Sequence, residues 1–366
     1  MTPSRSPQWS ESMPTDIRNA LSAQMRDVLD IQEARAAECR AAADRVIAAR
    51  AGQDGGQSGT PGTDRDAGAP TEFAAARAEY RAERTHWNEG GPTMARTEDA
   101  HLRVGDVEVP IRIHRPTTEA VLPGIVFLHG GGFCLGDLDT HDRIARVVAA
   151  TSGAAVIAVD YSLSPEAVFP QALLECATVI AHLARDGQDW GIDGTRLAVA
   201  GDSAGAMLAL GSALLLRDEP ERVGADSSFA ALRALLLVYG SHGLRDSASR
   251  RLYGGAWDGM GPEVLAGIAN VHYTSPADAE SPYIDHLGAD LRGLPPTFIA
   301  AAGLDPLRDD SRALAALLQR AGTDVEFIEY PHVLHSFLHF GRVLDEANAA
   351  LTTAAEFAAA RLDAEN

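Results

Sequence analysis

The apolar residues of this chain fall into short runs that alternate with segments of helical character. Six runs are almost wholly apolar: GIVFLHG, AAVIAVDY, RLAVAGDS, ALLLVYG, PTFIAAAG and VEFIEYP. Strands that are apolar on both faces and separated by helices belong to a parallel sheet that is covered on both sides. The pattern therefore predicts an α/β architecture with a mostly parallel central sheet and helices on both faces.

The residues before the first of these runs carry a different pattern. In HLRVGDVEVPIRIHRP, apolar residues alternate on either side of Gly105-Asp106, which predicts a two-residue hairpin and an antiparallel start to the sheet. Upstream, residues 16–50 and 71–87 are predicted to be helical. Between them, residues 51–70 are rich in Gly, Asp, Ser, Thr and Pro, a composition that predicts a flexible linker.

These patterns divide the chain into two parts. Residues 1–95 are expected to form an N-terminal helical cap region, and residues 96–366 a catalytic domain. Within the second part the strand rhythm breaks at about 241–290, which is long enough for an inserted helix or two. Long insertions at the carboxyl end of a parallel sheet usually shape a binding site. The insertion and the N-terminal helices are therefore the candidate lid.

Composition and charge narrow the choice of partners. The chain has 366 residues, of which 46% are hydrophobic, and a formal net charge of -20 that disfavours nucleic acids and anionic membrane surfaces. The N-terminus lacks the apolar core of a signal peptide and no long apolar run follows, so we expect a soluble cytoplasmic protein. Three cysteines without ligand-like spacing predict neither a disulfide framework nor a zinc site.

The first candidate for chemistry is the segment Gly201-Asp202-Ser203-Ala204-Gly205, which lies between an apolar strand and a helical run. A nucleophile elbow needs this context, because the turn from strand to helix is so tight that small residues must flank the serine. The turn lifts the serine hydroxyl above the edge of the sheet. Ser203 is therefore the candidate nucleophile.

A second candidate lies at the end of an earlier strand, in His129-Gly130-Gly131-Gly132-Phe133. Consecutive glycines let the backbone approach a substrate closely and direct amide hydrogens at a developing oxyanion. A flexible turn would explain the glycines alone. Their position after a strand, in a chain that also has an elbow, favours an oxyanion loop.

A serine hydroxyl needs a base, and in this kind of fold the order along the chain is serine, carboxylate, histidine. Asp305 follows the strand PTFIAAAG, whereas Asp309 and Asp310 resemble the first residues of a helix. Three histidines follow the last strand, and on order alone each of them could be the base: His332, His335 and His339.

Five segments in order resemble the hormone-sensitive-lipase-like family of α/β-hydrolases, the bacterial family IV esterases, over residues of about 100 to 362. They are HGGGFCLGDLDTHD, VDYSLSPE, GDSAGAMLA, LPPTFIAAAGLDPLRDDS and EYPHVLHSF. The resemblance implies the α/β-hydrolase fold and a serine carboxylesterase that acts on small, short-acyl esters. It implies a triad of Ser203, Asp305 and His335.

The same resemblance implies that the amides of Gly131, Gly132 and Ala204 form the oxyanion hole. His129, Glu166 and Asp202 look like family residues that brace the site, for which ordinary structural hydrogen bonding is the better explanation. The chain departs from the family at Ala206 and Ser162, where glycine and arginine are usual, and at His332 and Ser336, where glycines frequently occur.

Several alternatives stay open. An amidase or lactonase would use the same triad, and a non-catalytic small-molecule binding protein can share the fold, although intact Ser203 and His335 argue against that reading. The chemistry implied by the resemblance needs no metal or organic cofactor. The expected partner is a small-molecule ester, and the apolar C-terminal segment is compatible either with a homodimer or with a helix that covers the sheet.

Overall fold

The computed structural model describes residues 13–51, 70–225, 228–255 and 257–364. The N-terminal region contributes three helices to them: α1 (Thr15–Ala20), α2 (Ala23–Ala51) and α3 (Thr71–Asn88). The end of α3 agrees closely with the sequence prediction. Most of the predicted linker, residues 52–69, lies outside the described residues.

The prediction of one helix over residues 16–50 is wrong, because the helix is interrupted at Leu21 and Ser22. Leu21 has an extended backbone and a buried side chain. The amide of Ser22 donates to the carbonyl of His332 (3.0 Å), and its hydroxyl accepts from the amide of Met25 (3.2 Å), so that Ser22 caps α2. A contact with a distant part of the chain therefore decides this break.

Eight strands form one sheet. The predicted hairpin is present as β1 (Arg96–Val104) and β2 (Val107–Arg115), which pair antiparallel. The other strands coincide with the six apolar runs: β3 (Leu122–Leu128), β4 (Ala155–Val159), β5 (Ile192–Asp202), β6 (Leu232–Val238), β7 (Thr297–Ala302) and β8 (Val325–Tyr330). The order is β1-β2-β4-β3-β5-β6-β7-β8, and the six strands β3 to β8 run parallel.

Helices cover both faces of this sheet, as predicted. On one face lie α5 (Gln171–Asp186), α6 (Ala204–Asp218) and α9 (Arg308–Ala321), and on the other lie α4 (Asp142–Ser152) and α10 (Asp345–Leu362). Strand β3 shows the division, because Val126 and Leu128 belong to the core of the first face and Ile125 and Phe127 to that of the second. Helix α10 thus covers the sheet, one of the two roles expected for the C-terminal segment.

The segment between β6 and β7 holds two short helices, α7 (Ala248–Leu252) and α8 (Pro262–His272). It begins after the carboxyl end of β6, which is the edge of the sheet where side chains for catalysis are expected. Among the helices of the described residues, none is long and apolar enough to cross a membrane.

Candidate active site

The predicted elbow is a tight turn between β5 and α6. Ser203 has a positive φ of 54°, a backbone conformation that an L-residue seldom adopts and that suits a nucleophile held above a sheet. A β-carbon on Gly205 would overlap the carbonyl oxygen of Leu128, and one on Gly201 would overlap the carbonyl of Gly205. Both glycines are therefore required by space, which explains the small residues on each side of the serine.

The structure brings Ser203, His335 and Asp305 together in one hydrogen-bonded chain. His335 Nε2 lies 2.9 Å from Ser203 Oγ, and His335 Nδ1 lies 2.7 Å from Asp305 Oδ2. Asp305 is fully buried after β7, and its Oδ1 accepts from the amide of Leu307 at 2.8 Å. Because a carboxylate only accepts, the proton of the neutral imidazole sits on Nδ1 and Nε2 is left to accept from the serine.

The electrostatics of the site favour a positive charge on His335. Burial by itself lowers the pKa of this histidine, but the carboxylate of Asp305, followed by those of Asp202 and Asp258, raises it above the ordinary value. Asp258 belongs to the segment between β6 and β7, and burial raises its own pKa. The site therefore stabilises the imidazolium that forms when a histidine takes a proton from a serine.

The glycine loop after β3 turns sharply next to the elbow. Gly131, Gly132 and Phe133 all have positive φ, at 123°, 61° and 61°. Among the described residues, no group accepts a hydrogen bond from the amides of Gly131 or Gly132. Ala204 is the first residue of α6, so its amide has no partner within the helix. The amides of all three predicted oxyanion donors are thus without a hydrogen-bond partner among the described residues.

Asp202 joins the elbow to this loop. Its Oδ1 accepts from the amide of Gly130 (2.9 Å), and its Oδ2 accepts from the hydroxyl of Tyr239 (3.2 Å). Burial raises the pKa of this carboxyl, yet His141 and the Gly130 amide together bring it below the usual range. Tyr239 was not predicted, because only the end of the neighbouring strand β6 brings it here.

One group within the described part of the chain has the donor set of a metal site. One ligand atom each from His141, Asp202 and His339 lie within 4.8 Å of one another, all in buried side chains. Imidazole nitrogens with a carboxylate oxygen are ligands that suit zinc and similar ions. The group includes Asp202, the residue that precedes Ser203 in the chain.

A second serine and histidine are in contact beside the oxyanion loop. Ser164 Oγ lies 2.9 Å from His272 Nδ1, but the serine hydroxyl donates to the carbonyl of Ala167 (2.8 Å) and so accepts from the histidine. Burial lowers the pKa of His272 to about 4. The ring also stacks on Phe133, with centroids 3.9 Å apart. This pair supports the loop. It cannot activate the serine, because the histidine donates the hydrogen bond to Ser164 Oγ and does not accept one from it.

The rival candidates lie elsewhere. His332 donates to the carbonyl of Ala20, and His339 packs against His141 with a pKa far below its usual range because of burial. Asp309 and Asp310 lie in the first turn of α9, as predicted. Of the family residues expected to brace the site, His129 contacts the carbonyl of Gly130 through Nδ1, and Glu166 pairs with an arginine of α3.

Two departures from the family pattern have a local explanation. Ser162 binds Glu175 of α5 twice, with its amide donating to Oε2 (2.7 Å) and its hydroxyl donating to Oε1 (2.8 Å). Ser336, next to the candidate base, has a φ of 62°, a conformation that glycine adopts without strain. The glycine that is usual at that position is therefore explained by the positive φ of the backbone there.

A parallel sheet with a serine elbow, a histidine and a buried aspartate at its carboxyl edge defines a serine hydrolase. A family model described as the alpha/beta hydrolase fold matches residues 125–339. The chain is 45% identical, over 77% of its length and 85% of the relative, to the "Acetyl esterase" of Salmonella choleraesuis.

Solved esterase structures agree with this match. A hyperthermophilic esterase from the archaeon Pyrobaculum calidifontis has a TM-score of 0.73 and 32% identity, covering 79% of this chain and 91% of that one. A thermostable carboxylesterase cloned from a metagenomic library has a TM-score of 0.74 and 28% identity, covering 80% and 98%. The chain belongs to the hormone-sensitive-lipase-like family IV esterases of the α/β-hydrolase fold. It is a serine carboxylesterase.

Proposed function

We propose that this esterase hydrolyses small, short-acyl esters through an acyl-enzyme, with Ser203 as nucleophile, His335 as base and Asp305 as the acid that orients it. The observation that carries the proposal is the position of His335, which contacts Ser203 Oγ with one ring nitrogen and Asp305 with the other. The order of the two contacts leaves the lone pair of the imidazole on the side of the serine.

The reaction follows from these contacts. Ser203 Oγ attacks the ester carbonyl while His335 Nε2 takes its proton, and the resulting imidazolium is held by Asp305. The tetrahedral intermediate then collapses, the alcohol leaves with the proton from Nε2, and the acyl group stays on the serine. Water attacks the acyl-enzyme with the same histidine as base, which releases the acid and restores the serine hydroxyl.

We assign the oxyanion hole to the amides of Gly131, Gly132 and Ala204. Each of them is an amide without a partner among the described residues or within its helix. Backbone donors that are fixed before the reaction stabilise the developing charge without reorganisation, and losing one such donor typically costs about 3 to 4 kcal/mol. The N-terminus of α6, the positive end of the helix dipole, also favours negative charge at this position.

The preference for short acyl groups is supported by the insertion. A β-carbon on Gly132 would lie 2.7 Å from Ile268 Cδ1, so a side chain of α8 already occupies the space against this glycine. A bulky acyl chain bound near the oxyanion hole would have to displace it. The name of the Salmonella relative, "Acetyl esterase", points to the same small acyl group.

The experiment is hydrolysis of p-nitrophenyl esters from acetyl to dodecanoyl by the wild type, Ser203→Ala and Ser164→Ala. We expect rates that peak at short chains, vanish in Ser203→Ala and persist in Ser164→Ala, because only the first serine receives a base. Hydrolysis that survives in Ser203→Ala but not in Ser164→Ala would transfer the role to the other pair. A peak at long chains would refute the substrate class.

A cytoplasmic location and a homodimer are further proposals. Cys134 and Cys176 are both free and buried, which suits a reducing compartment. The dimer is supported by β8, an edge strand of the sheet that a second copy of the chain could extend. Cell fractionation tests the location, and analytical ultracentrifugation of the full chain tests the dimer.

A further inference from the structure

The helix α3 carries a buried arginine that reaches across to the oxyanion loop. Arg77 is only 3% exposed, and its Nε donates to the carbonyl oxygen of Cys134 at 2.9 Å. Its NH2 group donates to the carbonyl oxygen of Ser164, also at 2.9 Å. Glu166 neutralises the guanidinium through two short contacts of 2.7 and 2.8 Å.

The two carbonyls belong to one hydrogen-bonded unit. The loop closes on itself where the amides of Cys134 and Leu135 donate to the carbonyl of Gly131, at 3.1 and 2.9 Å. The amide of Ser164 donates to the carbonyl of Phe133 at 2.8 Å, which fastens the segment after β4 to the same turn. Arg77 therefore bonds to both halves of the unit that carries Gly131 and Gly132.

Seen along the chain, the loop is pinned on both sides of its oxyanion donors. On the upstream side, the amide of Gly130 donates to Asp202 Oδ1 at 2.9 Å. On the downstream side, the carbonyl of Cys134 accepts from Arg77. Between the pins are three consecutive residues with positive φ, and the third, Phe133, is not a glycine. A backbone in this conformation keeps its shape only when its surroundings hold it.

The chemistry of the side chain suits this task. A guanidinium offers five donors in a fixed planar fork, so it can hold two carbonyls and a carboxylate at the same time. A lysine would offer one compact ammonium group that cannot span the same acceptors. Because a buried charge without a partner is costly, the pairing with Glu166 keeps the guanidinium in place.

We propose that Arg77 is a positioning residue of the esterase: it fixes the oxyanion loop from the N-terminal helix and aims the amides of Gly131 and Gly132 at the substrate oxygen. The inference rests on the oxyanion hole proposed above. It gives the N-terminal region a part in the transition state, where the sequence had suggested only a lid.

The test compares Arg77→Met and Arg77→Lys with the wild type in the full chain. For Arg77→Met on p-nitrophenyl acetate we expect kcat to fall roughly 10- to 100-fold while KM changes less than about threefold, because the donors act mainly in the transition state. Arg77→Lys keeps the positive charge but not the planar set of donors, so its kcat should lie between those of the wild type and Arg77→Met. The matched control is Arg143→Met, which removes another buried guanidinium bonded to a carbonyl, that of Gly341.

A second readout separates positioning from a general loss of structure. Hydrolysis of an acetate ester is compared with that of its thionoester, in which sulfur replaces the carbonyl oxygen and accepts hydrogen bonds poorly. A working oxyanion hole favours the oxygen ester strongly, so misaimed donors should lower the oxygen-to-sulfur rate ratio by about the same factor as kcat. Arg143→Met should lower the melting temperature and leave that ratio unchanged.

The outcomes are distinct. A lower kcat with a lower rate ratio in Arg77→Met supports the proposal. An unchanged rate ratio overturns it, whether kcat is retained or falls together with KM. If the wild type itself shows no hydrolysis that depends on Ser203, the proposed function fails, and this is scored before any Arg77 variant is measured.

Discussion

Replacing Asp305 by asparagine tests whether its carboxylate sets the tautomer of His335. Asp305 Oδ1 accepts from the amide of Leu307 at 2.8 Å, while Oδ2 faces His335 Nδ1 at 2.7 Å. The amide of Leu307 needs an acceptor and the NH2 group of asparagine only donates, so the side-chain oxygen of asparagine must take the place of Oδ1. Its NH2 group then faces Nδ1 and forces the imidazole proton onto Nε2.

That tautomer cannot accept a proton from Ser203. The same change in a serine protease triad lowers kcat by about 10⁴, which corresponds to about 5 kcal/mol at 1.36 kcal/mol for each factor of ten. We expect a loss of this order for Asp305→Asn, measured as kcat on p-nitrophenyl acetate, with a melting temperature close to that of the wild type because the two side chains have nearly the same shape.

The matched control is Asp309→Asn, four residues further on in the first turn of α9. Asp309 Oδ2 accepts from the amide of Ser249 at 2.8 Å, so the substitution removes a comparable charge at a partly exposed position. Its kcat should stay within about threefold of the wild type. If Asp305→Asn kept more than about a tenth of the activity, the tautomer argument and the role given to Asp305 would both be wrong.

Three further predictions concern pH, space and acid stability. The plot of kcat/KM against pH should fall on the acid side with a midpoint above about pH 6.5, because only neutral His335 accepts a proton and its carboxylate neighbours raise its pKa. A midpoint below pH 6 would contradict this expectation. Gly205→Ala should lower the free energy of unfolding by at least about 3 kcal/mol, because its β-carbon would overlap the carbonyl oxygen of Leu128. In the control Gly267→Ala the β-carbon meets nothing within 4 Å, so no comparable loss is expected when both variants are measured by urea titration. Burial lowers the pKa of His286 to about 4, so the contribution of this neutral histidine to the free energy of unfolding is complete above pH 6.5 and is smaller by about 2 kcal/mol at pH 5. The loss of unfolding free energy between these pH values should be smaller in His286→Gln. An equal pH dependence in the two proteins would contradict the assignment.

Much of the fold could be predicted because its signals are local. Each of the six parallel strands is a short apolar run, and a buried strand needs apolar residues on both faces whatever its neighbours are. The hairpin turn at Gly105-Asp106 and the small residues around Ser203 are equally local. The sequence pattern could also narrow the candidate acid to Asp305, whereas the choice of a candidate base among three histidines needed the family resemblance.

The rest depends on contacts that the local pattern does not encode. The break between α1 and α2 requires the carbonyl of His332, more than 300 residues away. Arg77 is buried on a helix whose charged residues would ordinarily be assigned to solvent, because its partners come from the oxyanion loop and from the segment after β4. Tyr239 and Asp258 likewise reach the site from β6 and the insertion.

The strand order explains how the site is assembled from such distant segments. The carboxyl ends of parallel strands meet at one edge, and β3 and β5 are neighbours, so the oxyanion loop and Ser203 lie side by side. Asp305 and His335 follow β7 and β8, a second neighbouring pair, and β6 separates the two pairs. The residue after β6 is Tyr239, whose hydroxyl donates to Asp202 and whose ring centroid lies 4.8 Å from that of His335. Tyr239 therefore packs beside the direct contact between Ser203 and His335, and it links the two segments because they follow β5 and β8, strands that are not neighbours in the sheet.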